Sequence, residues 1–248
     1  MSARNTAAGR VPASGPHRDV FSRPWFRGMV ALYGLLGTTA AFLIATLPFI
    51  AAVFFAPSIA IGGPLVLAIG GFSIGPAWVA ALYTMRVYAA QRDIEPFRLF
   101  ARGYRLGWRQ SLLFWVPYFS LLVVLAFDLN SGLPTPVYWL LAALGAAAVL
   151  WGGTVLVIAA FFSFRLRDVM RLAVYGLARN PRWLLAEAAL MLVTGAVVYV
   201  GSEVLAGILV APLALATVVA AKPLVRMLTQ EFTADGPVGA AGEFSTEP

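Results

Sequence analysis

The sequence describes an all-α membrane protein: six transmembrane helices arranged as three hairpins, with two basic amphipathic helices at the cytoplasmic interface. Three observations lead there. Several apolar runs exceed the roughly 18 residues that mark a membrane-spanning helix. Hydrophobic residues make up 60% of the chain and charged residues 12%, against roughly 45–50% and about 25% in soluble domains. All 18 basic residues fall in alternate segments between the apolar runs. In a soluble protein the formal charge of +7 would suggest nucleic acid. Here the basic residues flank apolar runs, so anionic lipid headgroups are the expected partner and nucleic acid is not.

Taken in order, residues 1–24 are rich in Ser, Ala, Gly, Pro and Arg and poor in large apolar side chains. They cannot bury enough surface to offset their ordering entropy, which predicts a disordered basic tail. The membrane domain is expected over 25–226. Its first span, about 29–55, is 27 residues long, beyond the 7–15 of a cleavable signal's apolar region. It reads as an uncleaved span, with Trp25 and Phe26 as interfacial anchors. The second, about 64–87, carries Gly63-Pro64 and Gly75-Pro76. Proline removes a helix N–H and crowds the preceding turn, so a break is expected at Gly75-Pro76. Either one span kinks there, or the helix starts there and 59–74 is irregular or re-entrant.

A basic connection over 88–110 follows. Read as a helix, Phe97, Ala101, Tyr104 and Trp108 form one stripe, and Arg98, Arg102, Arg105 and Arg109 form a second beside it. This pattern predicts a helix over 95–108 lying near the membrane plane, with rings among headgroups and guanidinium groups at phosphates. The same surface could instead dock a cytoplasmic partner. The third span is about 111–127, a Pro/Gly/Asn loop follows, and the fourth span is about 137–162. The second basic connection carries an amphipathic segment over 166–178 with Arg167 and Arg171. At an offset of 69 residues Arg98 matches Arg167 and Arg102 matches Arg171, a weak internal repeat. The fifth span is about 183–200, Gly201-Ser202-Glu203 a turn, and the sixth about 204–221. Residues 227–248 read as a disordered tail.

Arginines and Lys222 precede span one, separate spans two from three and four from five, and follow span six. The loops after spans one, three and five contain none. The positive-inside rule then puts both termini in the cytoplasm. A wrong span count would scatter basic residues onto both sides.

Glu187 is the one carboxylate well inside a span, which makes it a functional candidate. The structural alternative is a headgroup-level residue paired with Arg182 or Arg179. Gly71-x-x-x-Gly75 fits a close helix-packing face. One histidine and no cysteine argue against a transition-metal site. No phosphate-binding loop or dinucleotide fingerprint occurs. The reading is therefore no enzyme, with no catalytic, cofactor or metal residues.

The string from Gly71 to Trp115 resembles the core motif of the YesL-like family of bacterial membrane proteins, a domain of unknown function. The likeness lies in Ile74, Gly75, Pro76, Ala80, Ala81, Leu82 and Tyr83, then in Phe97, Phe100, Arg102, Tyr104, Gln110, Ser111, Leu112 and Leu113. The resemblance implies the inner membrane of a bacterium. It also implies an accessory or scaffold role beside carbohydrate uptake, with membrane or ATPase subunits of a sugar transporter as partners. The alternative is a small transporter or channel in its own right. The family brings no catalytic residues.

Overall fold

The structure, a computed structural model, describes residues 24–55, 63–91, 95–162, 164–201 and 207–232. Residues 1–23 of the expected N-terminal tail, residues 202–203 of the expected turn and residues 233–248 of the expected C-terminal tail lie outside these. Among the described residues the chain is helical and contains no strand. The helices are α1 (Pro24–Ala45), α2 (Leu47–Phe55), α3 (Gly63–Gly71), α4 (Ile74–Gln91) and α5 (Pro96–Leu129). After them come α6 (Thr135–Phe161), α7 (Leu166–Arg179), α8 (Pro181–Gly201), α9 (Val210–Ala220) and α10 (Lys222–Phe232). Five stretches are long and apolar enough to cross a membrane. A sixth results if α9 and α10, bent by 45°, count as one.

Four features depart from the helices expected from sequence. The apolar run 29–55 is two helices, because the chain turns at Thr46 and α2 restarts with Pro48 in its first turn. A first-turn proline costs little, since the N–H it lacks would have no helical partner there. The break expected at Gly75-Pro76 is present but falls just before it: between α3 and α4 the helix is interrupted at Phe72-Ser73 and restarts at Ile74. Pro76 accordingly lies in the first turn of α4, not in the middle of a strained helix.

The third departure is α5. Residues 95–108 do not form a separate in-plane helix; they are the start of one 34-residue helix that continues to Leu129. Gly103 and Gly107, which weaken an isolated helix, are supported here by packing. A Cβ on Gly103 would lie 2.8–3.0 Å from Tyr83, and one on Gly107 would lie 3.0 Å from Val79. Farther along, Gly75 abuts Trp115 and Gly71 abuts Phe119. Together these contacts make an antiparallel seam of α4, extended by the end of α3, against α5, in which small residues let large ones in, the means by which helices pack tightly in lipid. The fourth departure is at the C-terminal end. Residues 222–232, expected to run largely into a disordered tail, form α10, whose Leu224 and Leu228 are fully buried.

The core lies along α4, α6 and the inward faces of α5, α8 and α9. Ala80, Ala81, Leu82, Met85, Val155, Ile158 and Trp183 are among its buried members. Large apolar side chains on the outer faces are exposed, Leu192, Tyr199 and Val200 of α8 among them. That inversion of the soluble pattern is what lipid as solvent permits.

Polar contacts fix the ends of helices where backbone groups lack partners. The break after α3 frees the Gly71 carbonyl, and Trp115 Nε1 donates to it at 2.9 Å. At the C-terminal end of α6, Arg86 Nη1 donates to the carbonyls of Ala160 (3.2 Å) and Phe161 (2.9 Å). Gln110 Nε2 donates to Phe164 O at 2.8 Å, and Trp151 Nε1 to Met170 O at 3.3 Å. Gly176 of α7 backs onto Leu224 of α10. These contacts gather the C-terminal end of α4, the N-terminal half of α5, the end of α6, α7 and α10 at one end of the bundle. Most of the described basic residues sit there.

Candidate functional site

Two places in the fold concentrate polar chemistry. The first is the outer surface of that basic end. Arg98, Arg102, Arg105 and Arg109 of α5 are exposed, as are Arg167 and Arg171 of α7. One ion pair occurs among the described residues, Arg98 to Glu95 at 3.1 Å. Both side chains are largely exposed, so the pair adds little to stability. Arg109 lies over the ring of Trp108, 5.5 Å from its centroid.

The inward face of α5 is a line separate from the aromatic stripe, which was read as facing the headgroups. Pro96, Phe100, Gly103, Ser111, Phe114 and Tyr118 are buried, whereas Phe97 and Trp108 are 49% and 42% exposed and Tyr104 is intermediate. The stripe of Phe97 and Trp108 therefore shares the open surface with the arginines. α7 behaves alike. Its line through Val169, Ala173 and Gly176 faces the core, with Arg167 and Arg171 outside. At the offset of 69 residues Val169 matches Phe100, and both are buried, while Ala173 and Gly176 match the half-buried Tyr104 and Gly107, so the two aligned segments turn closely related lines inward. Tyr175 of α7 donates to Glu231 Oε2 of α10 at 3.0 Å, and this bond pushes its phenol above the ordinary value.

The second place is inside the bundle. Glu187 is 3% exposed. It follows Trp183 by one helical turn, so both side chains project from the same face of α8 toward α6. There Thr154 joins them. Trp183 Nε1 donates to Thr154 Oγ1 at 3.0 Å, and Thr154 Oγ1 donates to Glu187 Oε2. Gly153 makes the approach possible, because a Cβ there would run into Glu187 Oε1 and lie 2.8 Å from Met191 Cε. Glu187 is therefore not paired with Arg179 or Arg182, the structural alternative read from the sequence. It is a hydrogen-bonded carboxylate buried between helices.

Beside it lies a cavity of about 50 Å³, lined by Trp78 of α4, Gly153 of α6, Glu187 and Thr194 of α8, and Thr217 of α9 among others. A larger, apolar groove of about 620 Å³ runs along the outer side of the α8–α9 contact. No cluster of three or more potential metal ligands occurs among the described residues.

Sequence reasoning found Glu187 but missed Thr154 and Trp183. A usable signal was present: a tryptophan inside an apolar span carries an N–H that needs a partner, and Trp183 stands one turn from the carboxylate. Gly75 and Pro76, read as a helix break, lie just past it, with Gly75 against Trp115.

Long apolar helices with lipid-compatible outer faces define a multi-pass membrane protein, and the polar groups buried in it are few and hydrogen-bonded. Residues 35–129 match the model of a family described as a protein of unknown function, DUF624. The matched region runs from the middle of α1 to the end of α5 and includes the whole α4–α5 seam. It supports kinship with a family of unknown function. No curated protein and no solved structure matches the chain.

Proposed function

We propose that this chain is a non-catalytic scaffold of the bacterial inner membrane that crosses it six times as three hairpins, with both termini in the cytoplasm. Its partners in this reading are the membrane or ATPase subunits of a sugar transporter, as the YesL-like resemblance implies. The observation that carries the scaffold role is the exposed cationic surface on α5. A 34-residue helix is about 51 Å long at 1.5 Å per residue, roughly 20 Å more than a hydrocarbon core needs. Arg98, Arg102, Arg105 and Arg109 all fall in its first half, so the excess length carries them into the headgroups and beyond. Beyond Arg98, which already meets Glu95, the guanidinium groups need anionic partners, and lipid phosphate or an acidic protein surface supplies them. α7 adds Arg167 and Arg171 and lies at the interface.

Topology and docking are tested separately. Reporter fusions after Asn130 should read as external and those after Arg171 as cytoplasmic; a cytoplasmic reading at Asn130 overturns the six-span arrangement. Photo-crosslinkers at positions 102 and 105 should capture a transporter subunit in the native host. Reversing Arg98, Arg102 and Arg105 to Glu should abolish that product. Crosslinks to lipid alone would reduce the surface to membrane anchoring.

A further inference from the structure

The buried carboxylate has an oxygen to spare. Thr154 satisfies Oε2. Oε1 has no hydrogen-bond partner among the described residues, and none of these residues has a sealed, unsatisfied side-chain polar atom. Oε1 therefore opens onto the adjoining cavity. The lining there includes Thr194 and Thr217 besides Glu187, three side chains with hard oxygen donors on α8 and α9. At about 50 Å³, the space holds one water, whose share of liquid volume is about 30 Å³, together with a small desolvated ion. It is too small for a sugar.

Charge makes the same point. A lone carboxylate in a low-dielectric interior is costly unless a positive charge compensates it. α4, α6 and α9 present no charged side chain to Glu187: their groups at the site are Trp78, Gly153, Thr154, Leu213 and Thr217. From α5 the neighbouring titratable group is the phenol of Tyr118, which already donates to Ala148 O at 3.0 Å. α7 and α10 also pack against α8, and none of their charged side chains bonds to Glu187. The compensating charge must come from outside the chain's described residues.

We propose that Glu187 Oε1, with Thr194 and Thr217 around the cavity, forms a binding site for one small monovalent cation, a proton or a sodium ion. The hydrogen bonds accommodate either occupancy. Thr154 has a single hydroxyl proton and two acceptors in reach, Glu187 Oε2 and Leu150 O at 3.0 Å. When the carboxylate is anionic or holds sodium, Thr154 donates to it. When Glu187 carries a proton, Glu187 donates to Thr154, whose own proton turns to Leu150 O. Trp183 Nε1 donates to Thr154 in both cases. The site lies about 9 Å along α8 from Pro181, inside the membrane-crossing stretch. It is independent of the scaffold role, which rests on the surface of α5.

The test uses the full chain in nanodiscs. Binding of radioactive sodium is measured at fixed pH, with potassium and choline as competitors. Protonation of a buried carboxyl is followed by infrared difference spectroscopy across a pH titration in sodium-free buffer. Saturable sodium binding near one per chain, lost in Glu187→Gln, identifies sodium. A titrating carboxyl stretch absent from Glu187→Gln, without sodium binding, identifies the proton. Gly153→Ala keeps the carboxylate and sets a methyl group against Oε1, with flexible Met191 able to yield. It should weaken sodium binding about 10–100-fold, or displace the carboxyl titration in the proton case. Failure to see either signal in the wild-type chain, or persistence of the signal in Glu187→Gln, overturns the proposal.

Discussion

Gly103 and Gly195 are both interior helical glycines, and they should respond in opposite ways to the same substitution. In a helix interior Gly→Ala gains up to about 1 kcal/mol from propensity alone. At Gly195 of α8 no heavy atom lies within 4 Å of the added Cβ, so Gly195→Ala should be neutral or stabilising by up to that amount. At Gly103 of α5 the Cβ would lie 2.8 Å from Tyr83 Cδ1 and 3.0 Å from Tyr83 Cβ. The ring can rotate away, but the Tyr83 Cβ is fixed to the backbone of α4, so the two helices must part. Overpacking of this kind costs about 1–3 kcal/mol. The propensity gain is common to both variants and cancels when they are compared. Gly103→Ala should thus be less stable than Gly195→Ala by about 1–3 kcal/mol, an approximately 5- to 150-fold difference in the unfolding equilibrium. Unfolding titrations in mixed micelles measure both. Equal shifts would refute the close α4–α5 seam and, with it, the reason that α5 continues through Gly103 and Gly107.

Three further outcomes follow from specific contacts. Trp115→Phe keeps the ring against Gly75 but removes the N–H that satisfies Gly71 O, and should cost about 0.6–1.7 kcal/mol in the same titration; an unchanged midpoint would mean the carbonyl finds another donor. Arg86→Met retains length but strips two charge-assisted bonds from the end of α6, for a loss of about 1.5–3 kcal/mol, and a smaller loss would make the contact incidental. Leu228→Ala, at a fully buried position of α10, should cost about 2–5 kcal/mol; no loss would return this segment to the flexible tail read from sequence.

Local signals settled what depends on local physics. Apolar runs of sufficient length marked the membrane-crossing stretches, because burying backbone in lipid requires helix over that length. The break near Pro76 was legible because proline constrains its own turn, and α7 was legible because its polar and apolar residues alternate at helical period. The alternation of basic segments was legible as well, since a charge is paid for in lipid wherever it occurs in the chain.

Only the tertiary structure decided which face of a span turns inward. In lipid both faces are apolar, so hydrophobic period carries no direction. On α5 the aromatic stripe of Phe97 and Trp108 was read as lying among headgroups, and no period pointed to Gly103 and Gly107 as the seam, because closeness, not hydrophobicity, is what helices gain from one another there. The helix also continues through those glycines, since Tyr83 and Val79 of α4 support them from positions 20 and 28 residues earlier in the chain. Nor does the sequence around Glu187 hold its partner. Arg182 and Arg179 are nearby in the chain, but Thr154 of another helix takes the carboxylate, admitted by the missing side chain of Gly153. α10 joined the fold for the same reason: Leu224 and Leu228 have a surface to bury against only once α7 and α8 are in place.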